Sequence, residues 1–488
     1  EQHGSMDDTA LRTLEERLNY LRSLEKRREE ILRSLEALGV LTPELQSSLD
    51  SAETLAALED IYRPYRPKRR TRATIARERG LQPLADEILL QKSDVPELES
   101  LAAGYINAEN GVLTASDALA GASDIIAETV SDSANARNVL RLAFQRSGSV
   151  QVHAARDEDS VYALYYDFNC PVSRLQPHQV LAINRGESEG FLKVSLAVAE
   201  QDALPGITRL FVIPGRAYSA FVREAAADAY SRLLLPSVER ELRSSFTDTA
   251  SEGAIKNFAL NLKPLLLQPP LKGRVTLGFD PGYRNGCKLA VVDATGRVLD
   301  TAVIYPTQPH NRVAEAKKAL THLIKKHNVT AIALGNGTAS RESEELLAEL
   351  LAELPGVQYA VVSEAGASVY SASKLASEEF PEYDVNLRSA VSIARRLQDP
   401  LSELVKIDPK AIGVGQYQHD MPQQRLSEAL DAVVEDCVNS VGADLNTASP
   451  SLLGYISGLN KTTARNIVAY REENGPFKRR RELLKVPK

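Results

Sequence analysis

Apolar positions at the start of the chain fall on one side of a helix. Leu11, Leu14, Leu18, Leu21, Leu24, Ile31, Leu35 and Leu38 recur at intervals of three, four or seven, which predicts one long amphipathic helix over residues 8–38. Gly39 stands where a helix ends in a left-handed turn. Thr42-Pro43-Glu44 then supplies an N-cap, a first-turn proline and an acid matched to the helix dipole, opening a second helix. Arg63-Pro64-Tyr65-Arg66-Pro67 is expected to be extended, because each proline disfavours a helical residue before it. Helical patterning resumes over residues 81–90 and continues to about residue 148.

The pattern changes twice further on. Leu181-Ala182-Ile183 and the alternating Leu192, Val194, Leu196 and Val198 flank the turn-rich stretch 185–190, which predicts a β-hairpin or a small mixed insertion. Residues 218–266 return to helix. From residue 275 short apolar runs predict strands at 276–279, 289–292 and 298–305, a helix at 313–327, a strand at 331–334, a helix at 340–354 and a strand at 359–362. A three-strand meander followed by alternating helix and strand is the order of the ribonuclease H-like fold. Residues 450–488 read as two short helices joined by Ser457-Gly458-Leu459-Asn460-Lys461, then a basic run.

A chain of 488 residues exceeds what one core serves, so several domains are expected. The reading is a multidomain, mainly α protein with one α/β domain, an elongated helical scaffold. Its segments are an N-terminal helical region (1–150), a small mixed β insertion followed by long helices (151–270) and the ribonuclease H-like domain (271–400), then a connecting helical segment (401–445) and the hairpin (446–488). No apolar run is long enough to span a bilayer, and the charged residues 1–30 do not read as a signal peptide. Cys170, Cys287 and Cys437 are too far apart for a zinc spacing or a disulfide framework, so a reducing cytoplasm is expected. The net charge of −7 argues against coating polyanions by bulk charge and leaves local patches. One is Arg63, Arg66, Lys68, Arg69, Arg70, Arg72, Arg77 and Arg79; the other is Lys478, Arg479, Arg480, Arg481, Lys485 and Lys488.

Three constellations carry candidate chemistry. Asp280-Pro281-Gly282 ends the first strand of the α/β segment, where nucleases of this fold place an aspartate that helps hold metal ions. Glu364 is a candidate second acid, but the end of the fourth strand reads Gly335-Asn336-Gly337, and Asp384 and Asp399 are the later candidates. Asp280 and Glu364 would serve a magnesium- or manganese-dependent nuclease. The favoured alternative is a binding module with no catalytic residue, cofactor or metal. The C-terminal hairpin has the helix-hairpin-helix pattern: Gly458 permits a tight turn, Asn460 opens the second helix, and backbone amides there meet a phosphate without reading sequence. Gly458 and Asn460 are candidate contact residues, Lys461 and Arg465 would add charge, and so would Lys478, Arg479 and Arg480. In the loop at 63–79, Arg69 and Arg70 with Tyr62 and Tyr65 offer either cations beside stacking rings or a solvated face. His419 lacks a second histidine at ligand spacing, and Gly413–Asp420 lacks phosphate-loop patterns.

Together these landmarks resemble the Tex family of bacterial transcription accessory proteins, related to the core of a eukaryotic transcription elongation factor. The resemblance runs through residues 65–77, 181–187, Gly278-Phe279-Asp280-Pro281-Gly282, 335–341, 363–371, Gly415-Gln416-Tyr417-Gln418-His419-Asp420 and Leu445-Asn446-Thr447-Ala448. It implies helix-turn-helix-like N-terminal helices, a YqgF-type ribonuclease H-like domain that is catalytically degenerate, and tandem helix-hairpin-helix motifs. It also implies an RNA-binding oligonucleotide/oligosaccharide barrel beyond Lys488, a second hairpin motif interrupted there, and further helices ahead of Glu1. The expected function is a nucleic-acid-binding transcription accessory scaffold that contacts RNA and/or DNA through phosphates. A protein-interaction scaffold is the remaining reading. Expected protein partners are RNA polymerase or the ribosome; no membrane and no small-molecule substrate is expected.

Overall fold

The computed structural model describes residues 8–66, 70–93, 95–446, 448–475 and 477–487, and the chain divides into two compact units, Glu1–Asp248 and Thr249–Lys488. Both are mostly helical.

In the first unit, the helix Asp8–Ala37 buries Leu24, Ile31 and Leu35 against Leu49, Leu58 and Tyr62 of the helices Pro43–Asp50 and Leu55–Tyr62. Thr42 and Thr54 cap those two helices by accepting the Leu45 and Ala57 N–H groups, each at 3.2 Å. The apolar stripe of the long helix is buried only in its later half, and Leu11, Leu14, Leu18 and Leu21 are exposed. The segment expected to be extended at Arg63 is instead a 3₁₀ turn, Arg63–Tyr65, followed by an extended Arg66, and Pro67 lies outside the described residues. Arg63 continues the preceding helix by donating its N–H to Glu59 O, which overrides the preference set by Pro64.

A three-stranded antiparallel sheet follows, made of β1 (Ser149–Ala154), β2 (Asp167–Pro171) and β3 (Leu192–Ala197) in the order β2-β1-β3. Residues 181–183 do not form a hairpin strand but lie in the helix Pro177–Ser188. Pro177 suits a first turn, the Gln179 side chain accepts the Gln176 N–H at 2.9 Å, and Val180, Leu181 and Ile183 are buried together. Beneath this unit runs a buried ion network. Arg137, with none of its side chain exposed, donates to Asp60 and Ser237, each at 3.1 Å, and Arg141 donates to Asp60 and Glu241, each at 2.6 Å. These bonds tie the helices Leu55–Tyr62, Ala134–Ser147 and Leu235–Leu266.

The second unit holds β4 (Thr276–Asp280), β5 (Cys287–Val292), β6 (Val298–Ile304), β7 (Ala331–Gly335) and β8 (Gln358–Val362), in the order β6-β5-β4-β7-β8. β4 pairs antiparallel with β5 and β5 with β6, while β4 and β7, and β7 and β8, are parallel. This is the ribonuclease H-like order read from the sequence. The helices Val313–His327 and Ser340–Leu351 bury Leu320, Leu346 and Leu347 with Leu277, Leu289 and Ile332 on one face of the sheet. Val385–Gln398 buries Ala390, Val391 and Ala394 with Ala290 and Val292 on the other. Because β4, β7 and β8 run parallel, their C-terminal ends bring Asp280, Gly335 and the loop carrying Glu364 to one edge. The chain then continues through the helices Gln423–Val441, Pro450–Leu453 and Lys461–Asn474 to a 3₁₀ turn, Arg480–Lys485.

Candidate nucleic-acid interface

The hairpin turn is built as its sequence implies. Gly458 has φ +86°, in the left-handed region that glycine adopts without strain, and a Cβ placed on it meets nothing within 4 Å. The constraint there is backbone conformation, and the space beside it is open. Asn460 caps the helix Lys461–Asn474: its Oδ1 accepts the Thr463 N–H at 2.8 Å and the Thr463 hydroxyl at 3.0 Å. Its carboxamide oxygen is therefore occupied within the chain, while the first-turn amides of Lys461 and Thr462 have no partner among the described residues. Lys461 and Arg465 are exposed beside these amides. Lys461 is also sensed from within: desolvation and the Asp408 carboxylate raise Asp431 above the usual carboxylate range, against the charges of Lys410 and Lys461. Ala464, Ile467 and Leu452 and Leu453 are buried between the two helices.

Below the hairpin, Lys478, Arg479 and Arg480 are exposed. Their backbone is held by Glu482, whose carboxylate accepts the Lys478 N–H at 2.7 Å and the Arg479 N–H at 3.3 Å. Two asparagines outside the sequence-derived set hold the whole region. Asn439 bonds the backbone of the turn, and Asn446 bonds both backbone groups of Phe477, donating to its O at 3.1 Å and accepting its N–H at 2.7 Å. Arg471 donates to Leu445 O and Ala448 O and so is a structural cation. An asparagine beside an apolar helix face gives no sequence signal of such a bond.

The loop at 63–79 is organised differently. Arg69 lies outside the described residues. Arg70 pairs with Glu78 at 2.9 Å, both largely exposed, and Arg77 pairs with Glu128 at 2.6 Å. Burial and the nearby Arg137 push the Arg63 guanidinium below its usual range. Neither tyrosine offers a stacking face of the expected kind: Tyr62 is buried with its hydroxyl 2.8 Å from Ser34 Oγ, and Tyr65 packs against the same cluster.

At the edge of the five-stranded sheet the carboxylates Asp280 and Glu364 are neighbours. Burial raises both above the usual range, and the charge of Asp280 raises Glu364 further. Ser389 and Lys288 act against the shift at Asp280; Lys288 stands opposite it in the β4/β5 register. The loop bearing Glu364 is held on three sides. Asn336 Oδ1 accepts the Glu364 N–H at 3.0 Å, the Gly337 amide bonds the carboxylate, and Arg396 donates to Ser363 O at 2.8 Å and Ala365 O at 2.7 Å. A Cβ on Gly337 would lie 1.5 Å from Glu364 Oε1, and one on Gly335 would lie 2.8 Å from Oε2. The Glu364 carboxylate thus fills the space that a side chain at the end of β7 needs. Asp384 and Asp399 are helix caps, accepting the Leu387 and Ser402 N–H groups at 2.8 and 3.1 Å. Among the described residues no group of three or more His, Cys, Asp or Glu side chains is placed to hold a metal. In the segment 413–420, Gln418 is buried and donates to Lys410 O at 2.6 Å, which makes this stretch a packing element.

The second unit thus joins a ribonuclease H-like domain to a helix-hairpin-helix, and family models sort the chain in the same way. A Tex protein YqgF-like domain matches residues 274–398, a helix-hairpin-helix motif residues 438–488, a Tex central region-like domain residues 93–258 and a Tex-like protein N-terminal domain residues 1–36. The chain is 46% identical over 495 residues to uncharacterized protein YdcI of Bacillus subtilis, covering 100% of itself and 69% of that protein. It is 48% identical over 504 residues to protein tex of Bordetella pertussis and 48% over 496 residues to transcriptional accessory protein Tex of Neisseria gonorrhoeae, covering 99% of itself and 64% of each. The chain belongs to the Tex family, and spans about two thirds of the length of these relatives. No helix among the described residues is long and apolar enough to cross a membrane.

Proposed function

We propose that this chain is the core of a transcription accessory scaffold that binds the phosphate backbone of nucleic acid through its helix-hairpin-helix, without reading sequence. The observation that carries the reading is the open left-handed turn at Gly458, followed by a capped helix whose first amides have no partner among the described residues, beside Lys461 and Arg465. Amides at a helix start and flanking cations suit a phosphate oxygen and distinguish no base. The name of the Neisseria gonorrhoeae relative supports the transcription context. Titration of a labelled DNA duplex and the matching RNA strand at several salt concentrations tests it. Binding should fall steeply with salt on both probes, and binding insensitive to salt or absent would remove the reading.

The same proposal takes the β4–β8 domain as a non-catalytic module. Its support is that Glu364 closes the end of β7 to another side chain and that Lys288 faces Asp280. The nuclease reading rests on the firm hold on Glu364, and a cleavage assay separates the two. A carboxyl raised in the folded state contributes stability at low pH that is lost as pH rises through its folded value. On either reading, Asp280→Asn therefore raises the melting temperature at about pH 8 and not at about pH 4. Manganese-dependent cleavage of single-stranded or duplex probes that vanishes in Asp280→Asn would establish the nuclease instead.

A further inference from the structure

We infer that Asn439 is the positioning residue of the phosphate-binding turn, an inference that rests on the hairpin reading above. Asn439 sits near the end of the helix Gln423–Val441, outside the hairpin helices. Its Nδ2 donates to Tyr455 O at 2.9 Å and to Glu435 O on its own helix at 2.8 Å, and its Oδ1 accepts the Ser457 N–H at 3.0 Å. The two turn groups it engages, one carbonyl and one N–H two residues apart, end immediately before Gly458. A carboxamide presents one donor and one acceptor side by side, so it bonds a turn much as a neighbouring strand would. Aspartate lacks the donor, and alanine lacks both.

The chemistry explains why a clamp is placed here. Glycine at 458 gives the left-handed conformation but also the largest freedom to leave it. A turn that wanders must be ordered when phosphate arrives, and that ordering subtracts from affinity. Asn439 removes the wandering beforehand from one side, and the Asn460 cap removes it from the other. Asn439 is itself exposed, so its bonds add little to the stability of the unit. Its role is the conformation of the turn, without contact to the ligand and without charge.

The test compares Asn439→Ala, Gly458→Val and the unaltered chain on the labelled duplex and RNA strand, with hydrogen exchange followed by mass spectrometry. Asn439→Ala is expected to bind about threefold to tenfold more weakly on both probes. Its salt slope should be unchanged, because no phosphate contact is lost. Exchange should quicken over residues 455–459 and stay unaltered over 464–468. Asn439→Ala binding like the unaltered chain while Gly458→Val binds weakly would overturn the clamp and leave the hairpin reading standing. Lost protection over 464–468 would also overturn it, since Asn439 would then be a folding residue. If neither variant weakens binding, the hairpin reading fails and the inference falls with it.

Discussion

Around residues 63–79 three of the described cations meet charges of the protein itself, with Arg63 half-buried near Arg137, Arg70 reaching Glu78 and Arg77 reaching Glu128, while Arg66 and Arg79 are exposed. Around residues 458–481 the cations turn away from the protein, with Lys461, Arg465, Lys478, Arg479 and Arg480 exposed and backbone amides open among them. The two regions are comparably rich in arginine and lysine. What separates them is the acids that each fold brings within reach. Glu128 meets Arg77 across 51 residues of sequence, whereas Glu482 turns its carboxylate to the backbone N–H groups of Lys478 and Arg479. In the first region three cations pair with or press on charges of the fold, and in the second, on the function proposed above, they are left for a ligand.

The largest expected effect lies in the inward network. Arg137→Ala leaves Asp60 and Glu241 short of their partner, and should cost about 3–5 kcal/mol of stability, read by urea unfolding; a loss as small as that of a surface pair would break the comparison. Next is Gly458→Val, which forces a branched side chain into the left-handed region and should weaken binding about tenfold or more on any sequence, with circular dichroism unchanged. Lys461→Ala should weaken binding by about 1 kcal/mol and lower the salt slope by about one. Smallest is Arg70→Ala, worth under about 0.5 kcal/mol in either stability or binding. Should Arg70→Ala match Lys461→Ala in a binding titration, the loop is a ligand surface after all and the contrast disappears.

Much of this was legible beforehand where local pattern and global fold agree. The strands from Thr276 to Val362 alternate with helices whose apolar faces are buried as their spacing requires, so both element type and sheet order could be read. The hairpin was equally plain, because glycine, cap and small packing residues lie within one short stretch. Residues 181–183 misled because a buried apolar triplet looks alike in strand and helix, and the deciding features were Pro177 and the Gln176–Gln179 bond. Extended backbone at Arg63 was overridden by a helix that runs one residue further. The roles of Asn439, Asn446 and Lys288 were invisible, since each depends on a backbone or carboxylate placed by tertiary folding. Asn460 is legible as a contact candidate from its place at the turn, but its oxygen is engaged in capping.

The space between Gly337 and Glu364 also governs how this sequence can change. An acidic side chain introduced at Gly335 or Gly337 by a single substitution collides with the Glu364 carboxylate already there. Position 335 or 337 can therefore accept an acid only as Glu364 shortens or swings aside. Because the obstructing atoms are the far end of a flexible side chain, a turn of Glu364 or its shortening to aspartate opens this space and keeps both carboxylates.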